Sequence, residues 1–309
     1  MKFRAPDEER AAQRAWEVVH TAYTQREPVT WPRRHARPLV AGAVVVAAVA
    51  AILSPPGRSV VHSLRKAVGV QHAQTELLSL PSPGRLLVSG SGGTWIVNQD
   101  GSRRRLGPYR EASWSPHGLF VAATRQNELV ALDPRGNIRW TLPGRSPRFP
   151  TWTGTRTDTR IAYISGGKLH IVAGDGTGDR IVGKAAATFR PEWLPGRKVL
   201  FSTGSRLVIY DDGTGSRQTL KNYQHVFDPA IGRRSGQSEV IYHRKIVFRG
   251  TGIFGQAVPS PDRRWLLVTW PTADQWVFVR PGTRKIVGVS RISSQFGGFP
   301  RVEGWCCSG

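Results

Sequence analysis

The feature that most constrains how this chain can fold is a turn marker that returns at a near-regular interval. Its copies are Pro81-Ser82-Pro83-Gly84, Trp114-Ser115-Pro116-His117-Gly118, Trp152-Thr153-Gly154, Trp193-Leu194-Pro195-Gly196, Phe227-Asp228-Pro229 and Pro259-Ser260-Pro261-Asp262, and a seventh start, Trp305-Cys306-Cys307, ends the chain. Successive starts lie 33, 38, 41, 34, 32 and 46 residues apart. Short β-forming runs follow each start, among them Leu86-Leu87-Val88, Trp95-Ile96-Val97, Leu207-Val208-Ile209-Tyr210 and Trp276-Val277-Phe278-Val279. Gly-centred hairpins close the units: Asp100-Gly101-Ser102, Arg135-Gly136-Asn137, Asp175-Gly176-Thr177-Gly178, Asp212-Gly213-Thr214-Gly215 and Pro281-Gly282-Thr283. Glycine accepts the positive φ of such turns, and an Asp beside it bonds the local backbone.

A period near 40 residues with several short strands per unit predicts an all-β, six-bladed β-propeller over 74–309. A β-sandwich also uses many short strands but requires no fixed period. Large aromatics at the unit starts, Trp114, Trp152 and Trp193, are expected to fill the wedge between neighbouring blades. Trp305 is expected on the strand that closes the ring against the first blade. The unit from Phe227 to Val258 has no Asp-Gly hairpin between Val240-Ile241-Tyr242 and Lys245-Ile246-Val247-Phe248, so it reads as an irregular blade.

Ahead of the propeller, Leu39 to Leu53 is an uncharged, Ala- and Val-rich run. With its neutral flanks it fills 38–57, which is 20 residues, and about 20 are needed to cross a hydrocarbon core. It reads as a single transmembrane helix; the alternatives are a buried helix or a signal-peptide core, for which the preceding segment is long. Arg26, Arg33, Arg34 and Arg37 precede the span, and Arg58, Arg65 and Lys66 follow it, so the charge bias puts the N-terminus in the cytoplasm and the propeller outside. A juxtamembrane linker occupies 58–73. Residues 1–37 form a cytoplasmic tail in which Pro6 to Arg26 has amphipathic spacing. Ala12, Trp16, Val19 and Tyr23 share its apolar face, either a docking face for a cytosolic protein or a chance stripe on a disordered tail.

Lys and Arg exceed Asp and Glu by 23, and 36 of the 44 bases lie beyond residue 37. Such a surface attracts polyanions: anionic lipid or cell-wall polymer if the domain is external. Basic runs in the propeller include Arg103-Arg104-Arg105 and Arg233-Arg234. No nucleic-acid-binding motif is present, so nucleic acid is not an expected partner.

The search for chemistry finds little. Eight histidines show no zinc-type pairing, and no Gly-x-Ser-x-Gly elbow occurs. Gly250-Thr251-Gly252-Ile253-Phe254-Gly255 matches a dinucleotide-binding pattern, but Pro259 and Pro261 stand where its helix would begin. Asp175 to Asp179 reads as a hairpin turn rather than a calcium loop. No catalytic, cofactor or metal residue is assigned, and no enzyme activity is expected. Cys306 and Cys307 are a candidate disulfide or redox pair, against the simpler alternative of two small buried thiols beside Trp305.

Ser260-Pro261-Asp262 with Trp265-Leu266-Leu267-Val268, Ser115-Pro116-His117-Gly118 and the repeated Asp-Gly-Thr hairpins resemble the repeats of TolB-like, WD40-like β-propellers. The arrangement of tail, span and propeller is similar to membrane-anchored propellers of high-GC Gram-positive bacteria. The resemblance implies a scaffold that binds a protein or ligand and implies no activity. The expected function is therefore a membrane-tethered binding protein, in the manner of an envelope sensor or anti-sigma-like regulator. The alternatives are a structural envelope protein holding anionic polymer or lipid, and a propeller enzyme.

Overall fold

The computed structural model describes residues 73–307 apart from 75, 78, 156, 221–227 and 235. The N-terminal docking face (Ala12, Trp16, Val19, Tyr23), the span at 38–57 and most of the linker lie outside these residues. Among the described residues no helix is long and apolar enough to cross a membrane.

Among the described residues twenty-three strands form six antiparallel sheets that follow one another along the chain. The first sheet, in spatial order, is β23 (Arg301–Cys306), β1 (Arg85–Gly90), β2 (Gly93–Val97) and β3 (Arg103–Gly107). The second is β4 (Glu111–Trp114), β5 (Val121–Arg125), β6 (Glu128–Leu132) and β7 (Ile138–Pro143). The third runs β8 (Arg148–Gly154), β9 (Thr159–Ser165), β10 (Lys168–Ala173), β11 (Arg180–Lys184), and the fourth β12 (Glu192–Leu194), β13 (Lys198–Ser202), β14 (Leu207–Asp211), β15 (Arg217–Leu220). The fifth has three strands, β16 (Ala230–Arg234), β17 (Gln237–Tyr242) and β18 (Lys245–Thr251); the sixth is β19 (Ala257–Pro259), β20 (Leu266–Trp270), β21 (Gln275–Val279) and β22 (Ile286–Ser290). A short α-helix, α1 (Ile292–Phe296), precedes β23. This succession of small sheets is consistent with a six-bladed β-propeller.

The closing contact is the pairing of the last strand with the first. Trp305 stands opposite Leu86 and Val302 opposite Val88 across β23 and β1. The sequence unit and the sheet are therefore offset by one strand. A unit that opens at Pro81 supplies β1, β2 and β3 of the first sheet and then β4, ending at Trp114, for the second. That offset leaves the first sheet without its innermost strand until Trp305 arrives.

The middle strands carry continuous apolar runs because both of their faces are covered by neighbouring sheets. Leu266 to Trp270 and Gln275 to Val279 are buried at every position. The outer strands are the opposite: β3 exposes Arg103, Arg104 and Arg105, and β15 exposes Arg217, Gln218 and Thr219. Charge on an outer strand discourages edge-to-edge association. The arginine run thus sits on an edge.

The unit-start tryptophans pack between their own sheet and the one before. Trp114 joins Leu87 and Ile96 of the first sheet to Val121 and Val130 of the second. Trp305 lies with Phe278 and Trp276 of the sixth sheet, Trp152 against the cluster of second and third sheets, and Trp193 against that of third and fourth. The irregular fifth unit turns without glycine between β17 and β18: His243 (φ 48) and Arg244 (φ 63) both take left-handed backbone. Asp228 Oδ1 holds that turn by accepting the His243 N–H at 2.9 Å. In Gly250 to Gly255 the glycines serve packing: a Cβ on Gly250 would stand 2.9 Å from Trp270 Cη2.

Candidate functional site

The innermost strands begin at one end of the domain and finish at the other, and the two ends differ. At the starting end the acids are paired. Glu111, the first residue of β4, accepts from Arg148 Nη2 at 2.9 Å and from the backbone N–H of Phe149 on β8. Glu303, with its side chain 1% exposed, is clasped by Arg190 and Arg301. Gln256 bonds the Val302 backbone with both ends of its amide, Nε2 to O at 3.0 Å and Oε1 from N at 2.9 Å, tying the sixth sheet to the first. These groups hold sheets to one another. None of them was singled out from sequence: apart from Arg301, two residues from Glu303, their partners lie 37 residues or more away.

At the finishing end the second and third sheets part to leave a cleft of about 540 Å³. The turn after β4 forms one wall. Ser115 Oγ accepts the Phe120 N–H at 3.0 Å, which fixes the turn and leaves Leu119 and Phe120 facing outward, 62% and 37% exposed. Phe120 lies almost parallel to Trp152 at the end of β8, with 6.4 Å between ring centroids and 19° between planes. Trp140 on β7 closes the outer side. Its Nε1 donates to Gly174 O at 3.0 Å, and its ring lies on the following turn, where a Cβ on Gly176 would come within 2.8 Å of Cδ2. Trp152 Nε1 is buried with no hydrogen-bond partner.

Polar groups complete the lining: His117, Arg139, Thr155, Thr159 and Asp175. Arg139 is held by Asp133 at 3.0 Å. Asp133 also accepts from the Arg135 and Asn137 backbone and from Asn137 Nδ2, and these bonds, the side chain of Asn137 foremost, hold its pKa down at about 2. Asp175 accepts at Oδ1 from Thr177 Oγ1 (2.7 Å) and N (3.0 Å), which lowers its pKa too. Asp179 is taken up by Tyr163 OH at 2.8 Å and His170 Nδ1 at 3.1 Å. The Asp175 to Asp179 segment is a hairpin turn, and no group of three metal-binding side chains occurs among the described residues.

Cys306 and Cys307 are joined as a disulfide, where two buried thiols were the simpler expectation. The pair sits behind the cleft wall, with Cys306 Sγ 3.8 Å from Ser115 O and Cys307 Sγ 3.6 Å from Pro116 O. Sequence gave the pair and the wedge role of Trp152 but missed the cleft. The available signal was Leu119-Phe120, two large apolar residues directly after a turn that had to be on the surface.

No family model matches the chain, and no curated protein matches it. Solved structures to which it is similar include a chain of a nidogen/laminin complex (10% identity over 72% of this chain and 97% of that one, TM-score 0.45). TolB from Acinetobacter baumannii is another (13% identity, 72% and 66%, TM-score 0.45), as is the dihydro-heme d1 dehydrogenase NirN (13% identity, 89% and 84%, TM-score 0.46). All of these scores are below 0.5, so the fold assignment rests on the six sheets and their closure.

Proposed function

We propose that the chain is a membrane-tethered β-propeller that binds a ligand or partner outside the cytoplasm and catalyses no reaction. The observation that carries this reading is the cleft between the second and third sheets, where Leu119 and Phe120 stand exposed beside Trp140 and Trp152. Paired carboxylates at the other end of the domain support binding over catalysis, because each is neutralised by arginine. The Cys306–Cys307 disulfide suits an oxidising compartment, and the uncharged run at 38–57 supplies the tether.

In this reading the tail carries occupancy inward: Ala12, Trp16, Val19 and Tyr23 dock a cytosolic protein, in the manner of an anti-sigma-like regulator. Protease added to intact cells tests the topology. The expected result is digestion of the propeller with survival of an N-terminal epitope, and survival of the propeller defeats the external placement. A pull-down on residues 1–37 that returns no specific cytosolic protein removes the relay.

A second reading, retention of anionic wall polymer or lipid on the basic surface, is favoured by one contact. Lys168 and Lys184 are direct cross-strand partners on β10 and β11 and both are exposed; like charges so placed repel unless an anion lies between them. Binding to acidic polymer that weakens steeply with salt supports it, and no binding at low salt rejects it.

A further inference from the structure

We propose that the cleft takes a neutral oligosaccharide, an assignment that rests on the propeller's being a binding module and names the class of its ligand. The cleft volume of about 540 Å³ is in the range of small-ligand sites. Its walls offer no row of free backbone groups. Ser115 N bonds Phe120 O, Gly118 N bonds Ser115 O, Thr155 N bonds Asp158 O and Gly174 N bonds Thr159 O, each at 2.9 Å. An extended peptide adding as a strand needs such a row, so recognition is left to side chains.

The described side chains argue against an anionic ligand. The chain carries a net charge of +23, yet among the described residues the one arginine lining the cleft, Arg139, is already paired with Asp133. Asp175 is kept ionised by the Thr177 hydroxyl and by the field of Arg160. An anion therefore finds no unspent counter-charge among the described residues of the cleft, and the Asp175 carboxylate is left to accept from a ligand's donors. What remains is a set of ring faces on Phe120, Trp140 and Trp152, edged by the Thr159 hydroxyl and by Asp175 Oδ2, which takes none of the turn's hydrogen bonds. A sugar ring matches that set: its C–H face lies on an aromatic plane while its equatorial hydroxyls donate to a carboxylate and exchange hydrogen bonds with a threonine. A flat heteroaromatic would use the rings and leave the hydroxyl edge unanswered.

The test is calorimetry on the full chain in a detergent without a sugar head group. The probes are cellobiose, maltotriose and N,N′-diacetylchitobiose, with a proline decamer as the peptide alternative. The expected result is saturable binding of at least one sugar, weakened tenfold or more by Phe120→Ala and by the near-isosteric Thr159→Val, with unchanged melting temperature. Ile253→Ala, an exposed apolar residue of another loop, leaves affinity unchanged. Peptide binding that Phe120→Ala weakens, with no sugar bound, overturns the sugar assignment and keeps the cleft as a binding site. If Phe120→Ala changes no measured affinity, or no probe binds, the sugar assignment falls, and in the first case the cleft falls with it.

Discussion

Arg190 and Glu303 form an ion pair between residues 113 positions apart, linking the segment ahead of the fourth sheet to the innermost strand of the first. Those sheets are three places apart in a ring of six, so the pair spans its centre. Glu303 is almost wholly buried, whereas Arg190 and Arg301 keep 30% and 39% of their side-chain surface in solvent. The carboxylate is therefore the member that cannot tolerate being alone. Arg190→Ala leaves Arg301 in place and is expected to cost about 1–2 kcal/mol. Removing both arginines strands the buried carboxylate and is expected to cost on the order of 3–5 kcal/mol, more than the sum of the single changes. Denaturant unfolding of the four chains of this double-mutant cycle measures the coupling, and additive losses would show that the pair does not brace the ring.

Trp305 closes the ring by filling space and not by hydrogen bonding. It is 7% exposed, meets Phe278 edge-on at 5.7 Å, and its Nε1 has no partner. Trp305→Phe should cost less than about 1.5 kcal/mol, the range of well-tolerated apolar swaps, and Trp305→Ala about 3–5 kcal/mol. Thermal unfolding of both variants decides this; a large loss in the Phe variant would mean that the indole N–H has a role after all.

The closing strand was legible because its signal is local: a seventh copy of the unit start, at Trp305. The wedge role of Trp114, Trp152 and Trp193 was legible for the same reason, a fixed residue type at a fixed place in a repeat. Asp175 could be read as a turn cap from the Gly beside it, whereas Asp133, three residues ahead of Gly136, was not singled out. The cleft could not be read, because Phe120 comes from a turn, Trp140 from β7 and Trp152 from β8, and the three meet only after the second and third sheets pack together. The Arg190–Glu303 pair has no sequence signature at all, since one Arg among many gives no hint of which acid it will meet. The disulfide was undecided from sequence because adjacent cysteines bond or stay apart according to the local backbone, and Cys307 adopts left-handed backbone at φ 58.

Gly118 makes the cleft wall depend on the disulfide. Its φ is +65, and a Cβ there would stand 3.0 Å from Cys307 Sγ and 3.1 Å from Arg85 Nη2. Gly118→Ala is expected to destabilise by about 1 kcal/mol from left-handed backbone alone, with a further loss from crowding the sulfur. Adding Cys307→Ala to Gly118→Ala relieves the crowding and should recover that further loss while leaving the backbone penalty. A melting-temperature cycle tests it: if the two changes add without interaction, the wall does not rest on the sulfur.

Acid should loosen the cleft through Asp133. Its carboxylate is stabilised in the folded chain, with a pKa of about 2 against the ordinary 3.8, so the folded state favours the ionised form. The resulting stability is complete above the ordinary value and is lost as pH falls from about 4 through about 2. Protonation releases Arg139, Asn137 and the turn between β6 and β7 that supports Trp140. Asp100, Asp175 and Asp211 are depressed in the same direction by their own turn hydrogen bonds, so the acid limb is shared. Asp133→Asn should therefore flatten the fall in melting temperature over that pH range without abolishing it, and should lower stability at neutral pH. Calorimetric melts of the two chains from pH 2 to pH 7 give the comparison, and parallel curves would show that Asp133 carries none of the acid response.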